Sequence, residues 1–127
     1  LPAVDPLEAR AVPHAVVAGT LPERIVYKEL LRRGLRDGQD FIFQSSKDGG
    51  RGDRLGMVLD FEILTVPPIA IQVYGTYWHE DFGSFMSDAW SEDRLRNMGF
   101  DVRVIYDTEV YNQHILEDRM DGILVGI

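Results

Sequence analysis

The sequence predicts an α/β fold in which helices flank a mixed sheet, and three observations carry that prediction. The chain has 127 residues at 45% hydrophobic content, enough for one packed core and too few to divide comfortably into two. Helical periodicity and strand alternation take turns along it, in the order helix, three strands, helix, strand, helix. The second and third strands read as a hairpin, and with that order the sheet is mixed rather than doubly wound and parallel.

Residues 1–18 carry Pro2, Pro6 and Pro13 without steady periodicity and read as an N-terminal arm outside the core, with one domain over 19–127. Thr20-Leu21-Pro22-Glu23 is a capping box that opens the first helix: hydroxyl and carboxylate each satisfy an N–H of the first turn. Ile25, Val26, Leu30 and Leu31 give this helix its apolar stripe, and Gly34 suits its left-handed end. Phe41-Ile42-Phe43-Gln44 is the first strand, followed by a glycine-rich loop from Ser45 to Gly56. Met57 to Leu64 alternates, with Leu59, Phe61 and Ile63 expected on one face and Val58, Asp60 and Glu62 on the other. Pro67-Pro68 ends that strand. In the third strand Ile69, Ile71 and Val73 oppose Ala70, Gln72 and Tyr74. Phe82 to Phe85 is expected as loop, a helix follows from about Asp88 to Met98 and stops at Gly99, and Val102 to Tyr106 is a buried strand. A last amphipathic helix is expected from Glu109 to about Leu124.

The composition removes several functions. There is no cysteine, so disulfides, thiolate zinc sites, thiol redox chemistry and a cysteine nucleophile are excluded, in keeping with a reducing cytoplasm. No apolar run approaches the roughly 20 residues that cross a bilayer, and residues 1–19 lack a signal-peptide layout, so a soluble cytoplasmic protein without a membrane partner is expected. The net charge of −8 opposes broad binding to a phosphate backbone. Residues 1–64, however, hold nine basic against ten acidic side chains, while 65–127 hold four against eleven. The basic groups cluster at Arg32, Arg33 and Arg36 and again at Lys47, Arg51 and Arg54, either a stripe for phosphates or an ordinary solvated surface.

The chemistry concentrates around Asp60. A carboxylate in the middle of an apolar strand costs several kcal/mol unless paired or metal-bound; the alternative is an edge strand whose polar face meets solvent. Gly75-Thr76-Tyr77-Trp78-His79 places two aromatics and an imidazole directly after the third strand, a cluster that would be costly to expose without a use. No phosphate loop, His-Glu-x-x-His helix or Gly-x-Ser-x-Gly elbow is present. Gly49-Gly50-Arg51-Gly52 reads as a loop, since no helix start with a phosphate-binding lysine follows it.

Gly19-Thr20-Leu21-Pro22-Glu23, Phe43-Gln44, Gly49-Gly50-Arg51, Asp60-Phe61 and Gly75-Thr76-Tyr77-Trp78-His79 occur in that order, and this ordered set resembles the PD-(D/E)XK nucleases. The aromatic-histidine piece is similar to the very short patch repair endonucleases and small phage and bacterial relatives. The resemblance spans about Gly19 to Tyr106. It implies a restriction-endonuclease-like mixed four-stranded sheet flanked by helices and Mg²⁺-dependent cleavage of DNA, in repair or recombination, with Mn²⁺ as an alternative ion. By resemblance Asp60 is a metal ligand, Glu23 reaches the metal through water or serves only as a cap, and His79 helps activate the attacking water. Where the family carries Glu-x-Lys this chain has Gln72-Val73-Tyr74. Gln72 and the Val73 carbonyl then remain as oxygen ligands for a hard ion, and without the lysine the developing phosphoryl charge rests on the metal, with Arg51 or Arg54 as candidates to complement it. Arg94, on the second helix, is a phosphate contact or a partner of Asp88 or Glu92. Two functions follow: a DNA endonuclease acting on a mismatch, junction or flap, or a nuclease-fold protein that no longer cleaves and binds DNA or protein. A homodimer or a partner protein is compatible with either.

Overall fold

The first helix begins as its cap dictates. The Thr20 N–H donates to Glu23 Oε1 at 3.0 Å, and Thr20 Oγ1 accepts from the Glu23 N–H at 3.4 Å, with Pro22 in the first turn where no N–H is needed. The structure is a computed structural model describing residues 20–44, 46–47, 57–75 and 82–127. Helix α1 spans Leu21–Arg32 and buries Val26, Tyr27 and Leu30. Gly34 beyond it has φ of 91°, a backbone that any side chain would strain.

Six strands follow: β1 (Phe41–Phe43), β2 (Ser46–Lys47), β3 (Met57–Val58), β4 (Phe61–Ile63), β5 (Ile69–Tyr74) and β6 (Asp101–Tyr106). Helix α2 (Phe82–Asn97) separates β5 from β6, and α3 (Asp107–Val110) and α4 (Gln113–Ile123) close the described chain. The fold is mixed α/β, with a four-stranded sheet in the order β1-β4-β5-β6 and helices flanking it. β4 runs antiparallel to both neighbours, with Phe61 opposite Phe43 and Ile71; β6 runs parallel to β5, with Ile71 opposite Arg103. β2 and β3 pair separately. No helix among the described residues is long and apolar enough to cross a membrane.

The two faces of the sheet carry different cores. One packs Phe41, Phe43, Phe61, Ile71, Val73 and Ile105 against Val26, Leu30, Leu116 and Met120, residues from α1 and α4. Its centre is aromatic: Phe43 stacks on Phe61 at 4.8 Å, and Tyr27 meets Phe41 edge-on at 5.7 Å. Burying each such side chain contributes about 1.5–3 kcal/mol. The Tyr27 hydroxyl donates to Asp37 at 3.0 Å; burial first, then this carboxylate, push its pKa up to about 12. The opposite face packs Leu59 and Ala70 against Leu95 and Phe100, which α2 and its exit turn supply.

Six expectations from the sequence are corrected. The strand expected over Met57 to Leu64 breaks at Leu59 and Asp60, because Asp60 exchanges main-chain for side-chain hydrogen bonds there, as described below. The break also changes facing: Leu59 packs with the α2 core while Phe61 and Ile63 belong to the other. The loop from Ser45 contains β2. α2 starts at Phe82 rather than near Asp88, so Phe82 to Phe85 is helix. The last helix is two, since Asn112 Oδ1 accepts from the N–H groups of His114 and Ile115 and begins a new helix after α3. β6 is an edge strand with only Ile105 fully buried, where a buried strand was expected. By contrast Ile69, Ile71 and Val73 share one core as the alternation requires. The N-terminal arm lies outside the described residues.

Candidate active site

The site is built where β4 fails to continue. In the register that sets Phe61 against Ile71, position 60 falls opposite Gln72. There the two residues trade side chains for backbone. The Asp60 N–H donates to Gln72 Oε1 at 2.9 Å, and the Val73 N–H donates to Asp60 Oδ2 at 2.7 Å. On its other side the Asp60 carbonyl accepts from the Gln44 N–H at 2.6 Å. A bond from a main-chain N–H to a carboxylate is stronger than one between neutral partners, so this clasp holds Asp60 firmly beside the end of β5.

Gln44 links the clasp to α1. Its Nε2 donates to Glu23 Oε1 at 3.0 Å, the same oxygen that accepts from the Thr20 N–H. Glu23 therefore caps its helix and also anchors the residue that braces Asp60. Both hydrogen bonds reach Oε1, and no donor among the described residues reaches Oε2. Glu23 is only 9% exposed and Gln72 8%. Gln44 adopts φ of 55°, a left-handed backbone that costs a residue with a Cβ roughly 1–3 kcal/mol. The surrounding bonds keep it there.

Glu23 and Val73 line one cavity of about 330 Å³ with Thr20, Pro22, Gly75, Asp107 and Tyr111. Two carboxylates and an apolar rim give it an acidic, partly aromatic wall. Asp60 and Gln72 are not among its described lining; they connect to it through the hydrogen bond from the Val73 N–H to Asp60 Oδ2 and through Gln72 preceding Val73 in β5. Hard oxygen donors of this kind suit Mg²⁺ or Mn²⁺, and a carboxylate oxygen bound to one N–H retains a further lone pair.

Of the residues singled out from the sequence, Asp60, Gln72 and Val73 are joined by hydrogen bonds, and Glu23 is linked to Asp60 through Gln44. Arg94 sits on α2 with its guanidinium carbon 5.3 Å from the centre of the Trp90 ring. Arg51, Arg54 and His79 lie outside the described residues. The Tyr74 hydroxyl donates to Glu92 Oε2 on α2 at 2.7 Å. The basic cluster at Arg32, Arg33 and Arg36 is engaged within the protein. Arg32 and Arg33 each reach Glu29 Oε2 at 2.7 Å, Arg33 also pairs with Asp121 at 2.8 Å, and Arg36 pairs with Asp40 at 3.1 Å. Burial opposes the charge on Glu29, but the two guanidinium groups outweigh it and hold its pKa below the ordinary carboxyl value.

Sequence reasoning did not anticipate Gln44 as a brace or Asp107 and Tyr111 as cavity wall. Gln44 stood inside the Phe43-Gln44 piece of the resemblance, so a signal existed. Asp107 and Tyr111 had none, because only the packing of α3 beside α1 puts them near Glu23. No family model matches the chain, and neither a curated protein nor a solved structure matches it significantly.

Proposed function

We propose that this chain is a metal-dependent endodeoxyribonuclease of restriction-endonuclease-like architecture, cleaving DNA at the Asp60 end of the sheet. The observation that supports the reading is the meeting of Asp60, Gln72 and Val73 across the strand break, with Glu23 joined to them through Gln44. Asp60 would supply the charged ligand, Gln72 and the Val73 carbonyl would supply neutral oxygens, and Glu23 would stand by as a further carboxylate. When bound, Mg²⁺ or Mn²⁺ activates a water and offsets charge on the phosphoryl group. Asp60 is held by hydrogen bonds to Gln72, Val73 and Gln44 and needs little reorganisation to act. Tyr74 brings no positive charge, so charge beyond the metal's comes from arginines, with Arg51, Arg54 and Arg94 as candidates, and His79 assists the water.

One observation favours a second reading. The Asp60 and Gln72 oxygens already accept main-chain N–H groups, which is sufficient to make the pair a structural clasp in a protein that binds DNA or another protein without cleaving. The two readings separate in a nicking assay on plasmid, junction and mismatch DNA with Mg²⁺. The nuclease reading requires cleavage that Asp60→Ala and Asp60→Asn both abolish. Asp60→Asn retains an oxygen for the Val73 N–H, so loss of activity in that variant reports the charge and not the fold. Intact DNA with wild-type protein in both Mg²⁺ and Mn²⁺ selects the second reading.

A further inference from the structure

We infer that Tyr111 is a stacking platform for an unpaired DNA base, which makes flapped or single-stranded DNA the substrate class of the proposed site. The inference rests on the nuclease reading and extends it to a residue outside the resemblance. Tyr111 is 56% exposed, and its main chain is fixed in place. Its N–H donates to the Asp107 carbonyl at 3.0 Å, Val110 before it is buried, and Asn112 after it caps α4. A large aromatic held open at the wall of the cavity shared by Glu23 and Val73 presents a flat apolar face beside the cleavage site.

The lining decides which part of a nucleotide enters. Asp107 also lines the cavity, and its carboxylate, which the metal reading does not use, can accept from the exocyclic amine of adenine or cytosine. Among the described residues lining it no arginine or lysine occurs. At about 330 Å³ it falls at the lower end of small-molecule clefts, a size for one base rather than a duplex. The base thus occupies the cavity against Tyr111 while its phosphate stays on the Asp60 side. A base stacked inside a duplex cannot do this, so the site selects unpaired nucleotides.

The test is fluorescence anisotropy with a labelled flap, the matching single strand and a continuous duplex, in Ca²⁺ to hold back cleavage, alongside cleavage of the flap in Mg²⁺. Tyr111→Ala should weaken flap and single-strand binding about tenfold, the scale of one lost stacking contact, while Tyr111→Phe stays near wild type and duplex binding does not change. Equal flap affinity for wild type and Tyr111→Ala overturns the inference, as does an equal loss on the duplex. Binding of the flap that depends on Tyr111, without cleavage in Mg²⁺, sinks the nuclease reading and keeps Tyr111. Cleavage that depends on Asp60 but ignores Tyr111→Ala does the reverse. No binding of any probe by wild type removes both.

Discussion

The Val73 N–H donates to Asp60 Oδ2 at 2.7 Å, so a side chain from one strand fills the place of main-chain pairing with the next. With the return bond from the Asp60 N–H to Gln72 Oε1, the strand break becomes a fixed feature. The same bonds that end β4 aim a carboxylate and an amide at the end of β5. Structure and proposed chemistry therefore share atoms, and variants must be chosen to pull them apart.

Asp60→Ala leaves the Val73 N–H without its acceptor and should destabilise the fold by about 1–3 kcal/mol. Asp60→Asn keeps an acceptor oxygen and should cost less, with the difference visible in urea unfolding midpoints. Equal costs for the two variants would show that the clasp contributes nothing.

Gln72→Glu still offers an oxygen to the Asp60 N–H but adds a negative charge beside Asp60. For a metal site, Mg²⁺ affinity should tighten on the order of tenfold, because ligand charge sets the affinity of hard cations. Calorimetric titration reads this directly. If the pair is only a clasp, like charges will lower stability and leave metal binding as it was.

Gln44→Gly removes the left-handed strain at φ of 55° and also the bond to Glu23. These effects oppose, so stability should shift by less than about 1 kcal/mol, whereas Gln44→Ala keeps the strain and should lose more. Thermal unfolding of the two variants gives the comparison, and a less stable Gln44→Gly would contradict it.

Glu29 has a lowered carboxyl pKa, set by Arg32 and Arg33 against the pull of burial. Its contribution is therefore present above the unfolded carboxyl value of 4.5 and lost as pH falls through the lower folded value. Glu29→Gln should be less stable than wild type by about 1.5–3 kcal/mol at neutral pH, with the gap closing below the unfolded value. A gap that does not change with pH would mean the two arginines do not act through the charge.

Much of the fold was written in local patterns. Thr20, Pro22 and Glu23 fix the start of α1 within one turn, and the alternation of Ile69, Ile71 and Val73 assigns the faces of β5, because cap and pleat act over a few residues. Leu59 defeated the same reasoning. Its facing depends on Asp60 meeting Val73 across the sheet, 13 positions along the chain, and alternation knows nothing of that contact. Glu80 and Asp81 stand before Phe82 in the sequence, a polar start that the reading from about Asp88 passed over. Within the site, Asp60 and Gln72 were visible as polar residues in apolar strands. The bond from Gln44 to Glu23 spans 21 positions and exists only once β1 lies beside α1.

The most direct measurement is the broadening of amide NMR signals by substoichiometric Mn²⁺. A cation held by Asp60 should broaden the Val73 main-chain and Gln72 side-chain amide resonances first, and Asp60→Asn should abolish the effect while the spectrum stays folded. Those two signals remaining sharp in the wild-type protein, or broadening equally in Asp60→Asn, would contradict a metal site at this end of the sheet.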